Sequence, residues 1–141
     1  MVTGTVEKIH FFRLFEDEDL VEAIRERAEK NRVNAGILFV IGTLKNAVLG
    51  YYLNGEYEYV RLDEPLEIAS CMGNIALDED GKVIVHAHIV VSNERGEAFG
   101  GHLMQNSHVA ATAELVIMEA EGVKLQRAFD AKTKLKLLQL S

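Results

Sequence analysis

Alternation of apolar and polar residues dominates this chain, with one clear exception near the N-terminus. Thr3 to Arg13 is rich in β-branched and aromatic residues and predicts a strand. The exception follows it. Leu20, Ile24 and Ala28 recur at i, i+4, i+8, with Val21 widening the stripe, so one main helix is predicted over about residues 18–32. Glu16-Asp17-Glu18-Asp19 places acid on its first turn, where the macrodipole favours negative charge. Arg25, Arg27, Lys30 and Arg32 place basic charge toward its other end, and Asn34-Ala35-Gly36 is expected to terminate it in left-handed geometry. We read these four basic residues as a solvated helix face.

The rest of the chain reads as short strands. Ile37 to Ile41 is a buried-strand run. Ala47 to Leu53 and Glu56 to Leu62 flank Asn54-Gly55, a two-residue hairpin signal, because a type I′ turn needs positive φ twice. Leu66 to Leu77 is a further strand, with Gly73-Asn74 as a break. Asp78-Glu79-Asp80-Gly81 and Asn93-Glu94-Arg95-Gly96 are turns on either side of Lys82 to Ser92, the best strand in the chain. Ser107 to Glu119 is divided: Ala110, Ala111, Ala113, Leu115 and Met118 favour helix, while Val109, Thr112, Val116 and Ile117 favour strand. Alternation returns at Lys134-Leu135-Lys136-Leu137. One helix among many short strands predicts an α+β fold with a mostly antiparallel sheet.

Length and charge narrow the picture. The chain has 141 residues and no linker-like stretch, so a single domain over residues 1–141 is expected. The net charge of −7 has the wrong sign for a protein built mainly to coat phosphate backbone. Only Lys124, Arg127, Lys132, Lys134 and Lys136 form a loose basic run, read as a solvated strand face. Cys71 is the single cysteine, which excludes an internal disulfide, and its apolar neighbours make it a small core residue. The longest run of apolar residues and glycine is about Ala35 to Gly42, far short of the ~20 residues of a membrane span. With no leader pattern at Met1-Val2-Thr3-Gly4, a cytoplasmic location and no membrane partner are expected.

Candidate chemistry concentrates in the histidines. His86 and His88 share one strand face, about 6.6 Å apart along the strand. Both faces of that strand look covered, so two histidines there need polar partners. Phe99-Gly100-Gly101-His102-Leu103 follows the next turn. If the two segments form a hairpin, His102 returns beside His86 and His88, and the paired glycines let backbones approach closely. Three imidazoles with an open fourth position are the ligand set of a catalytic or exchangeable Zn²⁺ site, and other divalent metals fit as well. The alternative is a set of core or interface histidines bonded to backbone carbonyls. Glu114 is a weak candidate for a general base or for a partner orienting an imidazole, against its reading as a surface carboxylate. His108 follows a turn and reads as peripheral, and His10 carries no distinct signal. Phosphate loops and serine nucleophile elbows are absent.

This arrangement resembles the plant and prokaryote conserved (PPC) domain family. The resemblance rests on His86-x-His88, Gly100-Gly101-His102-Leu103 and Thr112-Ala113-Glu114, with Arg13-Leu14, Ala35-Gly36, Ile41-Gly42-Thr43-Leu44 and Gly73-Asn74-Ile75 before them. It spans roughly residues 3–130. It implies an α+β fold around an antiparallel sheet, usually as a homotrimer, and a strand over Val109 to Glu119. It also implies a metal site at His86, His88 and His102. The family is often labelled DNA-binding, but plant members carry an added Arg-Gly-Arg-Pro type segment for the minor groove, and this chain has none. Three functions are therefore expected to compete. One is a metal-binding domain with a structural or small-ligand site. The second is a metal-dependent hydrolase-like or lyase-like enzyme, and the third a DNA-associated regulatory protein.

Overall fold

In the computed structural model, which describes residues 1–140, ten strands and one helix follow one another. They run β1 (Thr5–Leu14), α1 (Leu20–Lys30), β2 (Gly36–Leu44), β3 (Ala47–Leu53), β4 (Glu56–Leu62) and β5 (Leu66–Leu77). Then come β6 (Val83–Ser92), β7 (Ala98–Leu103), β8 (Val109–Glu121), β9 (Gln126–Asp130) and β10 (Leu135–Gln139). The sheet order is β1-β8-β2-β5-β6-β7-β3-β4, and every neighbouring pair along it is antiparallel. The β9–β10 hairpin lies off this path, joined to the end of β5 through a parallel Leu77–Gln126 pairing. This is the predicted α+β architecture.

The Asn54-Gly55 turn forms as its sequence requires, with φ of 52° and 88°, and sets the Leu53–Glu56 register of β3 and β4. The helix is shorter than its charge pattern suggests. Asp19 is its N-cap and accepts from the backbone N–H of Glu22, so Glu16, Asp17 and Glu18 lie before the first turn. Glu18 instead pairs with Arg27 at 2.7 Å, while Glu16 and Asp17 both pair with Lys45. The helix stops at Asn31, and Arg32, not the Asn34-Ala35-Gly36 segment, takes the left-handed conformation at φ 58°.

α1 buries Leu20, Ala23, Ile24 and Ala28 against one face of the sheet. There Leu38, Val40, Ile75, Ala87, Ile89, Val91, Leu115 and Ile117 complete the core. Strand alternation sends their neighbours to the opposite face. Ile37, Phe39 and Ile41 of β2 are exposed there, so the run read as buried is half open. β6 is open in the same way: Val90 and His88 are exposed, which corrects the expectation of two covered faces.

One further expectation changes. Gly73-Asn74 does not break β5; the strand continues through it, paired with both β2 and β6. Gly73 faces Ala87, and a Cβ at Gly73 would overlap the His86 carbonyl oxygen, so glycine allows this close approach. The segment divided on composition resolves as strand β8 over Val109–Glu121, as the resemblance implied. It lies between β1 and β2 with both edges bonded, and those ladders override the helix preference of its alanines.

Candidate metal centre

A single cross-strand row builds the site. It runs Phe11, Val116, Phe39, Met72, His88, His102, Gly50, Tyr59 across eight strands, each residue opposite the next. The β6–β7 hairpin places His102 directly opposite His88, as the glycine-flanked motif predicted, and His86 lies two residues along on the same face. The ring centroids are 5.3 Å apart for His86 and His88, 5.1 Å for His86 and His102, and 5.6 Å for His88 and His102. One nitrogen from each ring lies within 4.8 Å of the others. Gly101 also behaves as its sequence implied, because an added Cβ would stand 2.9 Å from the carbonyl oxygen of Gly50.

The cluster is shielded to different depths. His88 is exposed, whereas His86 and His102 are half-buried. Burial, reinforced by His86 and His88 beside it, holds His102 down at about 4. Burial and then the charge of Arg127 lower His86. Both rings are therefore neutral at pH 7, the state that ligates metals. The Nδ1 atom of His102 is buried without any hydrogen-bond partner. An orphaned buried nitrogen is costly, and a cation would satisfy it. Tetrahedral zinc at 2.0–2.1 Å sets its ligands about 3.4 Å apart, so the three nitrogens, within 4.8 Å of one another, would need to close by up to about 1.4 Å. The donor set fits a divalent metal of the zinc type.

Arg127 is the residue that sequence reasoning missed. Its charged neighbours in the sequence suggest a solvated basic run, but it is only 7% exposed. It donates from Nη2 to Asn74 Oδ1 at 2.9 Å and to His86 Nδ1 at 3.0 Å, and from Nη1 to the Lys136 carbonyl at 3.1 Å. Only donors are present on a guanidinium, so Nδ1 of His86 accepts and the neutral ring carries its proton on Nε2. A cation needing a bare lone pair on that nitrogen has to displace this contact. Lys136 is drawn out of the same run by Asp78 at 2.9 Å. Tyr57 of β4 lies 5.1 Å from the His102 ring, and Tyr52 donates to the Thr133 carbonyl at 2.7 Å, tying β3 to the β9–β10 hairpin.

Two cavities each border two of the three histidines. One of about 640 Å³ is lined by His88, His102, Met72, Tyr51, Tyr52 and Tyr57 over a floor of Gly50, Gly100 and Gly101. The other, about 200 Å³, is lined by His86, His102, Tyr57, Arg127, Leu135 and Leu137. Glu114 is not part of either. It pairs across strands with Arg13 and Ile41 and borders a separate apolar hollow with Phe11 and Phe39. Three strand spacings, about 14 Å, separate β8 from β6, too far for a base acting at the cluster. His108 is peripheral, bonded to Asn46, and His10 pairs with Glu119 at 2.9 Å. Cys71 is buried and its thiol is pushed up to about 12 by burial, so it is a core residue and not a nucleophile.

Fold and site together define an antiparallel α+β domain that carries a three-imidazole cluster on the open face of its sheet. Residues 1–121 match the Plants and Prokaryotes Conserved (PCC) domain, and the chain belongs to that family. It is similar to a metal-containing protein from Archaeoglobus fulgidus, with TM-score 0.89, 34% identity, and 99% and 98% of the two chains covered. A plant- and prokaryote-conserved (PPC) protein from Pyrococcus horikoshii is similar at TM-score 0.88 and 34% identity, over 99% and 97% of the chains. A chain from Bacteroides thetaiotaomicron with a provisional DNA-binding description shares the fold, at TM-score 0.86 and 20% identity, over 97% of each chain. The bifunctional protein GlmU of Synechococcus sp. (strain JA-2-3B'a(2-13)) is 32% identical over 127 residues, covering 89% of this chain and 19% of GlmU. The chain thus spans about a fifth of the length of the curated relatives it matches.

Proposed function

We propose that this chain is a metal-binding domain in which His86, His88 and His102 hold a divalent cation, zinc before others, and that it works as a homotrimer in the cytoplasm. One observation carries the metal reading: three imidazole nitrogens of a single chain lie within 4.8 Å of one another. The orphaned Nδ1 of His102 and the metal content of the Archaeoglobus relative support it. A zinc ion bound there would supply Lewis acidity and a water of lowered pKa. Elemental mass spectrometry of untagged protein is expected to find close to one metal per chain, and His86→Ala/His102→Ala is expected to find none. An absence of metal in the parent protein after incubation with zinc would overturn the assignment.

The trimer reading rests on the open face of the sheet. Phe11 of β1 is 77% exposed and Phe39 and Ile41 of β2 are 40% and 58% exposed, on strands flanking β8, an apolar patch that runs into Met72 at the histidine cluster. A single helix covers only the other face, so a second copy of the sheet is the natural cover. Light scattering is expected to give three chains of 15.7 kDa for the parent and a smaller species for Phe39→Glu, which places a charge in the contact. A parent protein that scatters as one chain would remove this part of the proposal.

A second reading, a hydrolase-like or lyase-like enzyme, is favoured by the two cavities that open onto the cluster. The DNA-associated reading has less support. Net charge is −7, and Arg127 and Lys136 of the basic run are engaged within the fold.

A further inference from the structure

Arg127 is a buried cation whose hydrogen bonds all end on neutral acceptors: a histidine ring, an amide oxygen and a backbone carbonyl. Among the described residues no carboxylate pairs with it, and its buried Nε has no partner at all. A guanidinium does not shed its proton, and a lone charge held out of water is strongly unfavourable unless something compensates it. Its side chain borders the 200 Å³ cavity, which it shares with His86 and His102. The remaining walls are the ring of Tyr57 and the apolar Ile84, Val85, Leu135 and Leu137, together with Lys136.

We propose that this cavity takes a small organic carboxylate, held between Arg127 and the cation bound by the histidines. The inference rests on the metal reading above and names the class of ligand for that site. A carboxylate suits the planar donor fork of arginine. Apart from Lys136, which is paired with Asp78, the other walls are apolar or aromatic, so they hold no free cation for the further charges of a phosphate. The larger neighbouring cavity, with its three tyrosines over a glycine floor, gives the rest of such a molecule a place to lie flat. Metal and ligand are coupled through one contact. A cation that takes the Nδ1 lone pair of His86 releases an N–H of Arg127, and the carboxylate accepts it.

Acetate is the probe. Cobalt(II)-loaded protein is titrated with acetate and followed by its visible absorption, beside Arg127→Gln at equal cobalt content. A saturable spectral change is expected, and the variant should need at least about tenfold more acetate. Equal titration of the two proteins would place acetate on the metal alone and overturn the Arg127 site. If cobalt is not retained, the metal reading fails separately, and the ¹⁵N signal of the Arg127 Nε–H in metal-free parent protein decides. A saturable shift with acetate keeps the anion site, and none up to about 0.1 M removes it. The same signal in zinc-loaded parent protein decides if Arg127→Gln does not fold.

Discussion

Stripping metal from the three-histidine centre with EDTA is expected to lower Tm by about 10 °C or more, and His102→Ala to erase that difference. The size follows from mass action. A cation held at a thousand times its Kd stabilises the folded state by about 4 kcal/mol. For a chain of 141 residues each kcal/mol moves Tm by about 3 °C. The metal-free protein should nonetheless remain folded. Its core of Leu20, Ile24, Leu38, Ile75, Ile89 and Leu115 lies on the helix side of the sheet, away from the histidine cluster. His102→Ala also deletes an unpartnered buried nitrogen, so its metal-free form should not melt far below the metal-free parent. Calorimetry at fixed protein concentration, with and without zinc, checks both points. Coincident melting of loaded and stripped parent protein would remove any structural contribution from the metal.

The second large effect is expected at Gly73. Gly73→Val should cost at least about 3 kcal/mol and abolish metal retention, whereas Gly100→Ala should stay within about 1 kcal/mol of the parent. A Cβ at Gly73 would overlap the His86 carbonyl oxygen and stand 2.6 Å from Ala87 Cα. Those are backbone atoms, so relief requires opening the β5–β6 ladder that positions His86 and His88. At Gly100 the nearest atom is a methyl of Val90 at 3.3 Å, the end of a side chain that can shift. Urea unfolding and metal content of the two variants measure the contrast. If Gly73→Val unfolds at the midpoint of Gly100→Ala, the close approach of the two strands is not required.

The candidate site was legible because two of its signals are local. Side chains two apart on a strand share a face, and Gly100-Gly101-His102 sits one short turn later, so a hairpin brings the third ring back. Arg127 was not legible. Its neighbours Lys124, Lys132 and Lys134 are ordinary surface charges, and nothing in the spacing says that the β9–β10 hairpin joins the end of β5 and lays one of its cations against His86. Glu114 is exposed, which matches its reading as a surface carboxylate. It is close to His102 in the chain, but β8 leaves β7 behind and inserts between β1 and β2.

By itself the sequence determined the helix, the Asn54-Gly55 hairpin, the alternating strands and the pairing of His86 with His88. Each of these depends on periods of a few residues or on the φ preference of a single turn. Only the tertiary structure decided that 109–121 is strand and that Gly73 joins two strands instead of interrupting one. It also decided that the face carrying Phe11, Phe39 and Ile41 is left open, and that Arg127 is buried beside His86. These outcomes depend on which strands become neighbours across the sheet. Neighbour identity is set by the summed burial and hydrogen bonding of the whole chain, which no local window of residues contains.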